Sequence, residues 1–120
     1  MEKLTLVVGA SENPERYSNK AIISLRKHHF PVKAIGLREG KVEDVHIENG
    51  HPAISDIHTV TMYVAPKNQI DLMDYLIMLR PKRVIFNPGS ENPEFEKKLK
   101  YVGIEYIEAC TLVMLATGEY

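Results

Sequence analysis

One cysteine, no tryptophan, no excess of either charge and no long apolar run characterise this 120-residue chain, and each scarcity removes a class of function. Cys110 has no second cysteine with which to close an internal disulfide or a paired-thiolate metal site, so a reducing cytoplasm is the expected setting. A formal net charge of −1, from 15 Lys and Arg against 16 Asp and Glu, gives no general field for nucleic acid or an anionic membrane. No apolar stretch approaches the roughly 18 residues of a membrane span, and the amino terminus starts a strand rather than a signal peptide. The five histidines lack His-Glu-x-x-His spacing, so no metal is expected. There is also no Gly-x-Ser-x-Gly elbow and no nucleophile with a base at catalytic spacing.

What the chain does have is a strand, a tight turn and a helix start at its beginning. Leu4-Thr-Leu-Val-Val8 is apolar and β-branched, Gly9-Ala-Ser-Glu-Asn-Pro14-Glu turns, and Arg16-Tyr17-Ser18 leads into an amphipathic stretch. Such a junction presents backbone N–H groups and the positive end of a helix dipole to an anion. The pentapeptide Ser-Glu-Asn-Pro-Glu occurs at 11–15 and again at 90–94, the second time after Arg83-Val-Ile-Phe86 and Asn87-Pro88-Gly89. Neighbouring parallel strands before the two turns would open both onto one crevice.

Alternating short β-branched runs and amphipathic stretches predict an α/β fold of Rossmann type in one domain over residues 1–120: a doubly wound, parallel, five-stranded sheet with helices on both faces. Strands are expected at 4–8, 32–37, 58–64, 82–86 and 104–107. The first helix runs from about Ser18 with Ala21, Ile22 and Leu25 inward and is closed by Pro31; a second is capped by Asn68 and runs to about Leu79. A third starts with Asn92 as N-cap and Pro93, and ends at Gly103; a short one covers 111–116. Residues 38–57 carry Glu-Gly, Asn-Gly and His-Pro punctuation, with an extended piece at 45–47 and a turn of helix near Ser55-Asp56. The crossover rule then favours strand order 3-2-1-4-5, with strands one and four side by side. Met62, Met73, Met78 and Met114 fit core positions.

The first turn has only Gly9 of a Gly-x-Gly-x-x-Gly fingerprint, and the second strand ends in Gly36-Leu37-Arg38 rather than the acidic residue that binds the ribose of NAD. Arg38, with Lys41 nearby, suits a phosphorylated ribose, which NADP and coenzyme A both carry. Arg16 is the best anion ligand of the turn, because its planar fork can hold two phosphate oxygens. Its competing role is a surface ion pair with Glu12 or Glu15; a ligand requires both carboxylates to point away. Ser11 and Asn13 serve equally as caps.

Val8-Gly9-Ala10-Ser11 followed by Pro14, Arg16, Ser18 and Leu25 resembles the signature of small single-domain CoA-binding proteins, relatives of the CoA-binding domain of the succinyl-CoA synthetase α-subunit. The likeness continues through Gly50-His-Pro52-Ala-Ile-Ser-Asp56-Ile, Pro88-Gly89 and Glu108-Ala-Cys110. It departs at Leu37-Arg38, where the family tends to have Asn-Pro, and at Thr111-Leu112, where a proline often follows the cysteine. The resemblance implies a module that binds CoA or an acyl-CoA without catalysis of its own. The expected binding residues are Gly9, Ala10, Ser11, Asn13, Pro14, Arg16, Tyr17 and Ser18 in the first turn, then Arg38, Ala65, Pro66, Pro88 and Gly89 at later strand ends. The alternatives are a small NADP-dependent reductase or nucleotide sensor, and an interaction module without ligand; a protein partner or homo-oligomer stays open.

Overall fold

The computed structural model describes residues 3–120. Seven strands form one sheet: β1 (Thr5–Val8), β2 (Val32–Ile35), β3 (Gly40–Val42), β4 (Val45–Glu48), β5 (Thr59–Met62), β6 (Arg83–Phe86) and β7 (Glu105–Glu108). The helices are α1 (Tyr17–Lys27), α2 (Met73–Met78), α3 (Pro93–Val102) and α4 (Thr111–Thr117), with a single 3₁₀ turn at Pro66–Asn68.

The central strands are buried on both faces, and their alternation divides the core in two. Leu6, Val8, Val60, Met62, Val84 and Phe86 point to the side covered by Met73, Leu76, Phe95 and Leu99 of α2 and α3. Val7, Ala34 and Ile85 point to the other, under Ile22 and Leu25 of α1 and Leu115 of α4. The inward stripe of α1 is as expected, and Asn92 caps α3 by accepting the Phe95 N–H at 3.3 Å. Gly103 closes that helix in the left-handed conformation.

The sheet order is β3-β4-β2-β1-β5-β6-β7, which corrects the expected count and order. Every pairing is parallel except the β3–β4 hairpin, in which Val42 faces Val45 across the turn Glu43-Asp44. The segment read as irregular therefore supplies two strands. Because β4 pairs with β2, the outer edge of β2 is closed and β5 adds on the other side of β1. Strands β1 and β6 are thus separated by β5 rather than adjacent. Arg26 of α1 holds the hairpin from below through Asp44, with Nε–Oδ1 at 3.0 Å and Nη2–Oδ2 at 2.9 Å, and that guanidinium lowers the Asp44 pKa.

Other expectations shift locally. No helical turn forms at Ser55-Asp56; residues 49–58 instead run across the α2 side, where Ile57 is buried and the Tyr75 hydroxyl donates to the Pro52 carbonyl at 2.6 Å. Asn68 caps nothing, since α2 starts only at Met73, after the Pro66 turn. Helix α1 ends at Lys27, before Pro31, with His29 at φ 66 making the turn. Met78 is 71% exposed, unlike the buried Met62 and Met73. At the opposite sheet end, Tyr120 is buried against Phe30, and its carbonyl oxygen accepts from Lys3 Nζ (2.7 Å) and Arg83 Nη2 (3.0 Å).

Candidate functional site

In the observed order the chain moves from β1 to one side and returns to the other, so the switch point lies between β1 and β5. A ligand crevice is expected outside the carboxyl ends of those strands. A crevice of about 240 Å³ lies there, lined by Gly9 after β1, by Glu15, Arg16, Tyr17 and Ser18 at the start of α1, by Tyr63, Val64 and Ala65 after β5, and by Pro88, Gly89 and Ser90 after β6. Glu15 and Ser90 belong to the two copies of the pentapeptide. The repeated turns therefore do open on one crevice, with β5 between them.

Gly9 brings the first two walls together. Its φ is +91, and a Cβ there would lie 2.9 Å from the Tyr63 carbonyl oxygen, so the turn passes directly over the exit of β5. The Gly9 and Ala10 N–H groups both donate to the Ile35 carbonyl, at 3.0 and 2.9 Å, which ties the turn to β2. These two amides are spent within the fold. Ser11 and Asn13 stabilise the turn itself: Ser11 Oγ accepts from the Asn13 N–H at 3.0 Å, and Asn13 Oδ1 accepts from the Glu15 N–H at 2.9 Å. Buried Asn19 donates to the Ser11 carbonyl at 2.9 Å and fastens the turn to α1.

The anion-binding capacity sits one step later. Asn19 and Lys20 N–H both bond to the Arg16 carbonyl, but the amides of Tyr17 and Ser18 precede the first intrahelical bond. Among the described residues they have no hydrogen-bond acceptor. The exposed Arg16 guanidinium likewise has no carboxylate partner among the described residues, which removes the ion pair with Glu12 or Glu15. Glu12 turns away, its Oε2 accepting from the Lys41 N–H at 2.8 Å beside Gly40. Glu15 is among the residues that line the crevice.

Of the expected binding residues, the crevice gathers Gly9, Arg16, Tyr17, Ser18, Ala65, Pro88 and Gly89. Ala10 is buried behind the turn, Ser11, Asn13 and Pro14 lie outside the lining, and Pro66 begins the 3₁₀ turn. Arg38 is exposed past the end of β2, away from the lining. Cys110 is half-buried immediately before α4 and is not part of the lining either.

Glu15, Tyr63, Val64 and Ser90 were not foreseen as lining. Adjacency was the available signal for three of them: Val64 to Ala65, Ser90 to Gly89, and Glu15 to Pro14 and Arg16. Tyr63 packs its ring into the α1–α4 core and leaves its hydroxyl buried without a hydrogen-bond partner among the described residues; burial pushes its pKa up to about 12. The nearby Thr61 and Thr111 hydroxyls pair with each other at 2.8 Å.

Below the crevice lies a polar layer that sequence reasoning missed. Asn87 Nδ2 donates to Thr61 Oγ1 (2.7 Å) and the Met62 carbonyl (2.9 Å), while its Oδ1 accepts from the Thr111 N–H (2.8 Å). Gln69 Nε2 donates to the Val64 and Ser90 carbonyls, each at 2.8 Å. All of these side chains are buried. A second groove, about 380 Å³ between Asp74 and Ile77 of α2 and Lys97 to Val102 of α3, has no strand end in its lining.

Several solved structures resemble the chain over most or all of its length, three of them as follows. An uncharacterised protein of known crystal structure is 42% identical with a TM-score of 0.96, covering 100% of this chain and 99% of its own. A protein from Thermus thermophilus is 22% identical with a TM-score of 0.86 over 99% of this chain and 91% of that one, a likeness of fold. A hypothetical protein from Pyrococcus horikoshii is 26% identical with a TM-score of 0.79 over 93% and 80%. No curated protein matches. Residues 3–116 match the profile of the CoA binding domain, nearly the entire sequence and every wall of the crevice, and the chain belongs to that family.

Proposed function

We propose that the crevice binds coenzyme A or an acyl-CoA and that this chain is a binding or regulatory module without catalysis of its own. The observation that carries the reading is the junction at the switch point: among the described residues Arg16 has no carboxylate partner and the amides of Tyr17 and Ser18 have no acceptor, and all three residues line the crevice. A pyrophosphate supplies the anionic oxygens that this junction lacks. The uncharged wall of Val64, Ala65, Pro88 and Gly89 suits the pantetheine arm. Arg38 stands on the same sheet edge, beyond the first turn, where an extended ligand presents its 3′-phosphate.

Thermal denaturation with added ligands tests the assignment. A ligand that binds only the folded state stabilises by about 2.7 kcal/mol at a hundredfold excess over Kd. CoA should raise the melting temperature more than NAD or NADP, and dephospho-CoA should bind more weakly than CoA. A shift with NAD or NADP equal to that with CoA rejects the proposal. Equal affinity for CoA and dephospho-CoA removes Arg38 from the site.

A further inference from the structure

Gln69 is wholly buried, lies outside the crevice lining and still touches two of its walls. Its single amide nitrogen donates to the Val64 carbonyl in the β5 exit and to the Ser90 carbonyl in the β6 exit, 2.8 Å each. Strand pairing ends at Met62 and Phe86; Asn87 still reaches back to the Met62 carbonyl at 2.9 Å, and beyond it Gln69 is what joins the Val64 and Ser90 stretches. The orientation of the amide is fixed from behind: Asn92 Nδ2 donates to Gln69 Oε1 at 3.0 Å, while Asn92 Oδ1 caps α3. A glutamine flip would set its oxygen against two carbonyls and its nitrogen against the Asn92 donor, so only one orientation satisfies all four groups. A leucine or methionine would fill the space and avoid burying an amide. The residue is therefore costly unless the bridge matters.

We infer that Gln69 is a positioning residue that sets the spacing of the Val64 and Ser90 walls, and through it the affinity of the site for the arm of the ligand that runs between them. The inference rests on the CoA reading for its ligand, but the spacing itself is measurable without any ligand. In Gln69→Met both donated bonds disappear while volume is nearly kept. Hydrogen exchange of peptides covering residues 63–68 and 88–91 should accelerate about tenfold, while exchange in β1 and α1 stays as in the wild type.

Calorimetry should then show CoA affinity lowered about tenfold and adenosine 3′,5′-bisphosphate affinity unchanged, because the shorter ligand ends at the Arg16 junction. A merely structural residue would weaken both ligands together. Asn92→Asp keeps the cap but sets an acceptor against Gln69 Oε1, which favours the flipped amide and should move exchange and CoA affinity the same way. It serves as the test if Gln69→Met does not fold. Unchanged exchange at both exits overturns the bridge, and looser exits with unchanged CoA affinity overturn the positioning role. If wild-type protein binds no CoA while exchange responds as expected, the ligand assignment fails and the bridge stands.

Discussion

Replacing Gly9 by alanine tests the switch-point geometry directly, because two costs meet at that position. The first is conformational: at φ +91 a Cβ-bearing residue is strained by about 1 to 2 kcal/mol. The second is steric. The new Cβ would sit 2.9 Å from both the Tyr63 carbonyl oxygen and Val64 Cγ2, and the first is main chain that moves only if the β5 exit moves; such overpacking costs about 1 to 3 kcal/mol. Gly89 separates the two costs. Its φ is +95, but nothing lies within 4 Å of its virtual Cβ, so Gly89→Ala carries the conformational cost alone.

For a chain of this length the unfolding entropy is about 0.25 kcal/mol/K, so each kcal/mol lowers the melting temperature by about 4 °C. Gly89→Ala should fall by about 4 to 8 °C and Gly9→Ala by about 8 to 20 °C. Calorimetric melts of the two variants and wild type make the comparison. Equal shifts would mean that β1 does not press on the β5 exit, and the crevice would then lack the contact that joins its first two walls.

Two further outcomes concern charged groups. Arg16→Ala removes charge-assisted hydrogen bonds to the proposed pyrophosphate worth about 1.5 to 3 kcal/mol, so calorimetry at fixed salt should find CoA bound about 10- to 150-fold more weakly, with Arg16→Lys recovering part. Stability should hardly change, since Arg16 pairs with no carboxylate among the described residues; an unchanged Kd would take it off the site. The Glu96 pKa is raised from 4.5 to about 7 by burial and by Glu108 and Glu91, and its Oε2 is buried without a hydrogen-bond partner among the described residues. The folded state thus holds a proton that the unfolded state releases, so this group's contribution falls as pH rises from about 4.5 to about 7. Denaturation midpoints of Glu96→Gln should lose that part of the slope and exceed wild type at pH 8; parallel pH profiles would refute it.

The repeated pentapeptide shows what a sequence can and cannot specify locally. At 90–94 it behaves as read, with Asn92 as cap and Pro93 in the first helical turn. At 11–15 the same residues make a turn in which Asn13 accepts from Glu15, and the helix waits until Tyr17. The difference lies in the residue that follows. Phe95 is wholly buried and anchors the first turn of α3 to the core, whereas Arg16 at the equivalent place is exposed and has nothing to bury. Burial decides between two conformations that local propensity leaves close. The hairpin escaped for a related reason: Val42, Val45 and Ile47 are its buried positions, too few in strands of three and four residues to show a period, and Glu43-Asp44 is not the Asn-Gly turn that marks a hairpin. Missing it displaced β5 to the wrong side of the sheet.

That displacement changes the chemistry of the site as well as the topology. With β5 beside β1, the turn after Gly9 crosses the β5 exit, and the Gly9 and Ala10 amides are drawn to the Ile35 carbonyl on the opposite side. A glycine-rich dinucleotide turn works because its glycines let the backbone approach the pyrophosphate; here Gly9 has that backbone closing the fold. The donors still available are those nearest the helix: the Tyr17 and Ser18 amides with the Arg16 fork beside them. A phosphate held there lies at the positive end of α1 and opposite the walls braced by Gln69, with Glu15 as the one carboxylate in the lining. The wall that continues from there, Val64, Ala65, Pro88 and Gly89, carries no charged side chain, so an uncharged arm such as that of pantetheine would meet no charge to desolvate along it.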